Sequence, residues 1–290
     1  MVTHNQVDFQ VMSPPAIAGA GSDDPGLRER GLETLKLTSR TFFIPISRLP
    51  PGLLEAVAAG YLCLRSIDEI EDHPTLDRRI KERLLRNISR TIQSSGERLR
   101  VEDLLISNPQ HQGGLPEVTL QLAEWMALAP RPIAHRIWDA TATMADRMAD
   151  WAQEDFQVHS EADLDRYTMG VAGAVGLMLS DLWAWYDGTR TDRGHAIGFG
   201  RGLQSVNILR NRVEDLQRGA DFFPDGWDEA RMQCYARRNL ALADAYIAAL
   251  PPGPALEFCR IPHVLAYATA DALAAGRTKL ERSEVMQLIG

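Results

Sequence analysis

The chain has 290 residues, of which 45% are hydrophobic and 24% charged, and its formal net charge is −8. This composition predicts a globular protein with a substantial core, and the acidic balance argues against nucleic-acid binding, which needs a basic surface. The three cysteines, Cys63, Cys234 and Cys259, lie far apart in the sequence. Neither a disulfide framework nor a zinc site is therefore expected.

The N-terminus lacks the basic segment and apolar run that are typical of a signal peptide. The longest apolar run, "VAGAVGLML" over 171–179, is about half the roughly 20 residues that a membrane-spanning helix needs. We therefore expect a cytoplasmic protein with at most peripheral membrane contact.

Residues 1–27 are rich in Pro, Gly and Ser and predict a flexible N-terminal tail. From 28 to 290 apolar residues recur at helical spacing, which predicts one all-α domain. Pro109, Gly113 and Pro116 indicate a loop. The predicted helices include one over 133–157, one after a capping box at Ser160 and Asp163, one ending near Gly219, and one over about 256–275.

The first acidic cluster ends the apolar segment "LLEAVAAGYLCL" and contains Asp68, Glu69, Glu71 and Asp72. On a helix Asp68 and Asp72 lie one turn apart on the same face. Like charges at this spacing cost only about 0.2–0.5 kcal/mol, so a solvated acidic helix end remains open. The alternative is a face that binds a metal ion.

A second polar face follows in "LQSVNILRNRVEDLQRG", where three oxygen-bearing side chains occur at four-residue steps: Asn207, Asn211 and Asp215. Two such faces opposite each other would suit Mg²⁺, which prefers oxygen ligands and bridges to phosphates. Arg210 beside them can hold diphosphate oxygens. Glu214 lies one turn from Arg210 and from Arg218 and is expected to pair with them.

Small residues mark three further segments, "VAAGY", "YTMGVAGAVG" and "IGFGRG". They permit close helix packing, and they also permit a channel wide enough for a long hydrocarbon chain. The two interpretations are compatible, and the sequence leaves both open.

Four segments, in this order, resemble the squalene and phytoene synthases: "TSRTFF" (38–43), "YLCLRSIDEIED" (61–72), "YTMGVAGAVG" (167–176) and "LQSVNILRNRVEDLQRGADFFP" (203–224). The resemblance implies an all-α, single-domain isoprenoid-synthase fold with a central active-site cavity over 28–290. It also implies a Mg²⁺-dependent transferase that ionises farnesyl or geranylgeranyl diphosphate and joins it to a second prenyl diphosphate.

The same resemblance assigns the site residues. The implied metal-binding residues are Asp68, Asp72, Asn207, Asn211 and Asp215. The implied catalytic residues are Tyr61, Arg65, Asp68, Asp72, Tyr167, Asn207, Arg210 and Asp215. The implied substrate-binding residues are Ser39, Arg40, Thr41, Phe42, Val171, Val175, Gly176, Gln204 and Asn211.

One position departs from the family pattern, because the second motif begins with Asn211 where the family has aspartate. The amide keeps an oxygen ligand but lacks the negative charge, which puts a second ionisation in doubt. Two alternatives stay open: prenyl transfer from one diphosphate to an aromatic small-molecule acceptor, and a non-catalytic relative. The sequence also leaves open whether NADPH is used, as squalene formation requires.

Overall fold

The computed structural model describes residues 25–95 and 114–289, which form an α-helical structure without a β-strand. One parallel bridge joins Gln157 to Asp221 in these ranges. The predicted all-α class is confirmed. Residues 1–24, Pro109 and Gly113 lie outside the described residues, so the predicted tail stays a prediction. The first helix begins at Pro25, just before the predicted domain start.

The described helices run in this order: α1 (Pro25–Thr38), α2 (Arg40–Ser47), α3 (Leu53–Glu71), α4 (Arg78–Ser95), α5 (Glu117–Leu120), α6 (Leu122–Leu128), α7 (Arg131–Gln153), α8 (Glu161–Thr168), α9 (Ala174–Asp187), α10 (Arg193–Gln217), α11 (Glu229–Ala249), α12 (Pro254–Ala274) and α13 (Arg282–Ile289). A π-helical segment, Met169–Gly173, joins α8 to α9 without a break. None of these helices is long and apolar enough to cross a membrane.

Local chemistry sets several helix ends. Ser160 caps α8 by accepting a hydrogen bond from the Asp163 N–H at 3.1 Å, and Asp163 accepts one in return from the Ser160 N–H. Gly219 follows α10 with φ +84°, as predicted for a terminal glycine. The predicted helix over 133–157 was too long: α7 ends at Gln153, because Asp155 and Phe156 adopt left-handed φ angles.

Helices α3 and α10 are the inner elements that carry the two polar faces. Most residues of α3 are buried, and the helix packs against α1, α5, α6, α7 and α9. Helix α10 packs against the π-helical segment, α9, α11 and α12. Because α9 touches both inner helices, the π-helical segment and α9 lie beside the space between them.

Two glycines allow α10 to approach its neighbours closely. A Cβ atom on Gly176 of α9 would lie 2.1 Å from the Ala196 carbonyl oxygen. A Cβ atom on Gly200 of α10 would lie 2.1 Å from the Ala172 carbonyl oxygen in the π-helical segment. Both obstacles are backbone atoms, which cannot turn aside as a side chain can. At these positions the small residues serve helix packing.

We predict that Gly176→Ala and Gly200→Ala each lower the free energy of unfolding by about 2 kcal/mol or more, because the methyl group forces the backbones apart. Gly194→Ala is the matched control, since its Cβ atom would meet only the carboxylate of Asp192 at 3.1 Å. Urea denaturation measures all three variants. Equal stabilities in the three variants would contradict the packing role.

Candidate active site

The carboxyl-terminal ends of α3 and α10 meet through one arginine. Asp72 is the C-cap residue of α3, and Asp215 lies in the last turn of α10. The Arg218 guanidinium donates from Nη1 to the Asp72 carboxylate and from Nη2 to Asp215 Oδ1 at 2.5 Å. The two acidic motifs predicted from the sequence therefore lie side by side.

The acidic residues at this junction are not a solvated helix end. Glu71 is 8% exposed and Asp215 is 7% exposed. Burial, together with the nearby charges of Asp72 and Glu69, raises the pKa of Asp68 to about 8, although Arg65 opposes the shift. Burial, together with the charges of Asp72 and Asp68, also raises the pKa of Glu71 well above its usual range. Burial and mutual repulsion thus favour the protonated forms of Asp68 and Glu71 when no further cation is bound.

Tyr167 lies between the two acidic motifs. Burial raises its pKa well above the usual tyrosine value, and the charges of four carboxylates add to the shift: Glu71, Asp72, Asp68 and Asp215. The Tyr167 ring stacks on Phe222 with ring centroids 4.3 Å apart, and Trp151 contacts it edge-on at 5.6 Å. The phenol therefore stays protonated, held rigidly with its hydroxyl in the field of both motifs.

The predicted residues of α2 lie next to Tyr61 of α3. Ser39 caps α2 by accepting a hydrogen bond from the Phe42 N–H at 3.1 Å. The Phe42 and Tyr61 ring centroids are 5.7 Å apart. Burial raises the pKa of Tyr61, whose hydroxyl also hydrogen-bonds the Ser39 side chain. Thr41 is exposed, and the Arg40 side chain lies outside the described part of the structure.

Arg65 lies one turn before Asp68 on α3. Its guanidinium donates to the Glu69 carboxylate. Its Nε atom is buried without a hydrogen-bond partner. A buried, unpaired N–H on a charged group is costly, so this donor is available to an anionic ligand.

On the polar face of α10, the two arginines have different partners from those expected from the sequence. Gln204, Asn207 and Asn211 are half-buried, and Arg210 is exposed. Arg210 Nε donates to Asn211 Oδ1 at 3.1 Å, and Arg218 pairs with Asp215 and Asp72. The expected pairing of these arginines with Glu214 was wrong, because Asn211 and Asp215 offer them nearer acceptors.

Apolar side chains on the same elements keep part of their surface accessible. Val171 of the π-helical segment, Val175 of α9 and Leu203 of α10 are half-buried, and so are Phe42 and Tyr61. Such side chains are what an apolar channel between helices requires. Gly176 is a buried helix contact, so its place beside a channel stays a prediction. π-helical turns occur frequently at functional sites.

The chain is similar to known proteins in both sequence and fold. The sequence profile described as squalene/phytoene synthase matches residues 35–235, which contain both acidic motifs. The chain belongs to the squalene/phytoene synthase family. Solved structures that share the fold include TcSQS in complex with the ligand E5700, with TM-score 0.75 at 22% identity over 92% of this chain and 86% of that one. Another is a dehydrosqualene synthase, with TM-score 0.59 at 19% identity over 91% and 94% of the two chains.

Relatives in the squalene/phytoene synthase family include three squalene synthases. That of Schizosaccharomyces pombe is 29% identical over 93% of this chain and 66% of its own length. That of Yarrowia lipolytica is 31% identical over 83% and 60%, and the human enzyme is 27% identical over 88% and 67%. The chain thus spans about two thirds of the length of these relatives. The predicted isoprenoid-synthase fold is confirmed.

The side chains at this site offer the type of ligand atom that Mg²⁺ prefers, which is oxygen. Asp68, Asp72, Glu71 and Asp215 offer only carboxylate oxygens, and burial is the main cause that raises the pKa of Asp68. No three acidic, histidine or cysteine side chains among the described residues lie close enough to enclose a metal ion. Mg²⁺ commonly uses one or two carboxylates and completes its shell with water and phosphate. Asp68 and Asp72 on one wall, or Asp215 on the other, could each hold a Mg²⁺ ion in this way.

Four contributors to the site escaped the sequence analysis: Glu71, Arg218, Trp151 and Phe222. Glu71 belongs to the acidic cluster, but its burial depends on α4, from which Lys81 Nζ donates to the Glu71 carbonyl oxygen at 2.5 Å. Phe222 stands in the turn "DFFPDG", whose aromatic pair was the available signal. Nothing in the sequence around Trp151 indicates that it contacts Tyr167.

We predict that, without metal, the protein loses stability as the pH rises from about 5 to about 8. The folded state holds the Asp68 proton with a pKa of about 8. The unfolded chain releases it near pH 4, so ionisation between these values favours unfolding. Asp68→Asn, which cannot ionise, should flatten the dependence in urea denaturation with EDTA. Parallel pH profiles for the two proteins would contradict this assignment.

Proposed function

We propose that the protein is a Mg²⁺-dependent prenyltransferase that ionises an allylic prenyl diphosphate and joins the prenyl group to a second prenyl diphosphate. The observation that carries the proposal is the meeting of the two acidic motifs around Arg218 and Tyr167, beside half-buried apolar side chains. Membership of the squalene/phytoene synthase family supports it. Because the chain spans only part of its relatives' length, their activity is proposed here for this chain.

The first step breaks the C1–O bond of an allylic diphosphate, and the electron pair leaves with the diphosphate. Bound Mg²⁺ would supply positive charge that stabilises this leaving group. Arg65 supports the same task, because its buried Nε–H has no partner within the protein. Arg210 lies exposed on the opposite wall, where it can reach a second phosphate. Arginine suits this role because its planar fork matches phosphate oxygens.

The prenyl cation left behind must be kept from water. The half-buried side chains of Val171, Val175 and Leu203 give it an apolar surrounding. The rings of Phe42, Tyr61 and Tyr167 can stabilise it by cation–π attraction, about 0.5–2 kcal/mol each. Tyr61 and Tyr167 both have raised pKa values, so they remain neutral phenols near neutral pH and do not trap the cation as phenolates.

A second candidate function rests on Asn211. Its amide oxygen already accepts a hydrogen bond from Arg210, and it brings no charge to the second wall. A wall with less negative charge binds metal more weakly. One ionisation would still suffice to move a prenyl group to an electron-rich aromatic acceptor. Self-condensation requires two prenyl diphosphates to be handled in turn, and it is therefore the more demanding function to test.

Purified protein incubated with Mg²⁺ and farnesyl diphosphate, with and without NADPH, tests the proposal. A thirty-carbon product identified by mass spectrometry is the expected result, and its reduction state would show whether NADPH is used. The same assay with geranylgeranyl diphosphate defines the preferred chain length. Diphosphate release with only farnesol-type products would overturn self-condensation and favour the other acceptor. No diphosphate release would favour a non-catalytic relative.

We predict that Asp68→Asn lowers the rate of diphosphate release by about a hundredfold or more, because a metal-binding carboxylate that stabilises the leaving group is lost. Asp139→Asn, on the exposed face of α7, is the matched control and should retain the wild-type rate. The rates are measured with a phosphate-coupled assay. Wild-type turnover in the Asp68 variant would refute the metal assignment on α3.

Asn211→Asp should strengthen Mg²⁺ binding, whereas Asp68→Asn should weaken it. A full negative charge on the second wall is expected to lower the Mg²⁺ concentration for half-maximal diphosphate release by about three- to tenfold. Asn87→Asp on α4, outside both acidic motifs, controls for the added charge. An unchanged Mg²⁺ requirement in the Asn211 variant would place residue 211 outside the metal-binding wall.

A further inference from the structure

Arg218 has a position that none of the predicted roles explains. It is the C-cap residue of α10, with φ −86° and ψ −2°, and its backbone N–H is bonded to the helix. Its side chain bonds Asp72 at both the carboxylate and the carbonyl oxygen, the latter at 3.3 Å. Its other terminal nitrogen bonds Asp215 Oδ1 at 2.5 Å. One guanidinium thus joins two carboxylates that belong to opposite walls.

The electrostatic surroundings hold this arginine firmly but do not bury it. Burial alone disfavours its charge, but the hydrogen bonds and charges of Asp72, Asp215 and Glu71 outweigh that effect and raise the pKa of Arg218. The side chain remains 32% exposed. An arginine anchored by its backbone, with a partly exposed side chain, can move its guanidinium away without unfolding α10.

Lys81 of α4 is the other cation that faces these acids. Its Nζ atom donates to the Glu71 carbonyl oxygen, and burial lowers its pKa. Lys81 does not bridge the walls, because its Nζ atom bonds Glu71 and the acids that act on its pKa, Glu71 and Asp72, both lie at the end of α3. Arg218 is therefore the cation that connects Asp72 to Asp215 in the described structure.

We propose that Arg218 is an internal counter-ion that holds the two acidic walls together without metal and competes with Mg²⁺ for Asp72 and Asp215. The inference rests on the proposed function, because it takes these carboxylates as metal ligands. Mg²⁺ entry requires the guanidinium to leave at least one carboxylate. Arg218 is a positioning residue: it sets the spacing of the walls and the Mg²⁺ concentration at which the site fills.

The test is a titration of the protein with Mg²⁺ in the absence of any prenyl diphosphate. Isothermal titration calorimetry gives the Kd, and thermal unfolding gives the melting temperature. In Arg218→Gln the metal no longer competes with a guanidinium, so the Kd for Mg²⁺ should fall about three- to tenfold. The metal-free melting temperature should fall, because the carboxylates of both walls lose their counter-charge. Added Mg²⁺ should restore the melting temperature of the variant to near the wild-type value.

Two further variants keep the test decisive. Arg218→Lys retains the charge but cannot bridge two carboxylates with a planar fork, so its Kd should lie between those of wild type and Arg218→Gln. If Arg218→Gln does not fold, Arg218→Lys takes its place in the test. Arg277→Gln removes a comparable surface pair, Arg277 with Glu284 at 2.9 Å, and should leave the Kd unchanged. An unchanged or raised Kd in both Arg218 variants would overturn the proposal.

The outcome for Arg218 can be distinguished from the outcome for the proposed function. A tighter Mg²⁺ site in the Arg218 variants, with no prenyl product from the wild type, would support the counter-ion role and reject the condensation. Prenyl products from the wild type, with the same Kd in all variants, would support the condensation and reject the counter-ion role.

Discussion

Negative charge concentrated at two helix ends is the constraint on which this structure depends. The carboxyl-terminal ends of α3 and α10 both carry acidic side chains, and the helix dipoles are negative at the same ends. Each such contact costs on the order of 0.3–1 kcal/mol when exposed and more when the acid is buried, as Glu71 and Asp215 are. Burial, with smaller contributions from the charges of Asp72 and Glu69, also raises the pKa of Asp68 to about 8. Arg218 offsets part of the charge, and bound divalent cations would offset the remainder and the charge of a diphosphate.

The rest of the helical framework brings the two ends together and keeps the neighbouring space apolar. Glycine contacts bring α9 and the π-helical segment against the backbone of α10, because a side chain at Gly176 or Gly200 would collide with a carbonyl oxygen. The same segment carries Val171 next to Tyr167, whose ring is fixed by Phe222. Close packing and an apolar surrounding are thus two consequences of one run of small residues, and the alternatives left open by the sequence are compatible in the structure.

Periodicity and turn chemistry predicted much of this from the sequence. The all-α class, the capping box at Ser160 and the end of α10 before Gly219 follow from local signals that act within one helical turn. The partner of Arg218 does not follow, since Glu214 and Asp215 are both within reach along the helix and Asp72 is 146 residues away. The early end of α7 was missed because Asp155 and Phe156 adopt left-handed conformations that non-glycine residues rarely take. A single π-helical turn leaves the apolar spacing almost unchanged, so the sequence pattern could not reveal it.

The most direct measurement is anomalous diffraction from crystals grown with Mn²⁺ and a non-reactive thio-analogue of farnesyl diphosphate. We expect manganese peaks at Asp68 and Asp72 of α3 and at Asp215 of α10, with diphosphate oxygens completing the metal shell. We also expect the prenyl chain to extend along Val171 and Val175 past Tyr61. Manganese and diphosphate bound elsewhere, with Arg218 still joining Asp72 to Asp215, would contradict the claim that these helix ends form the active site.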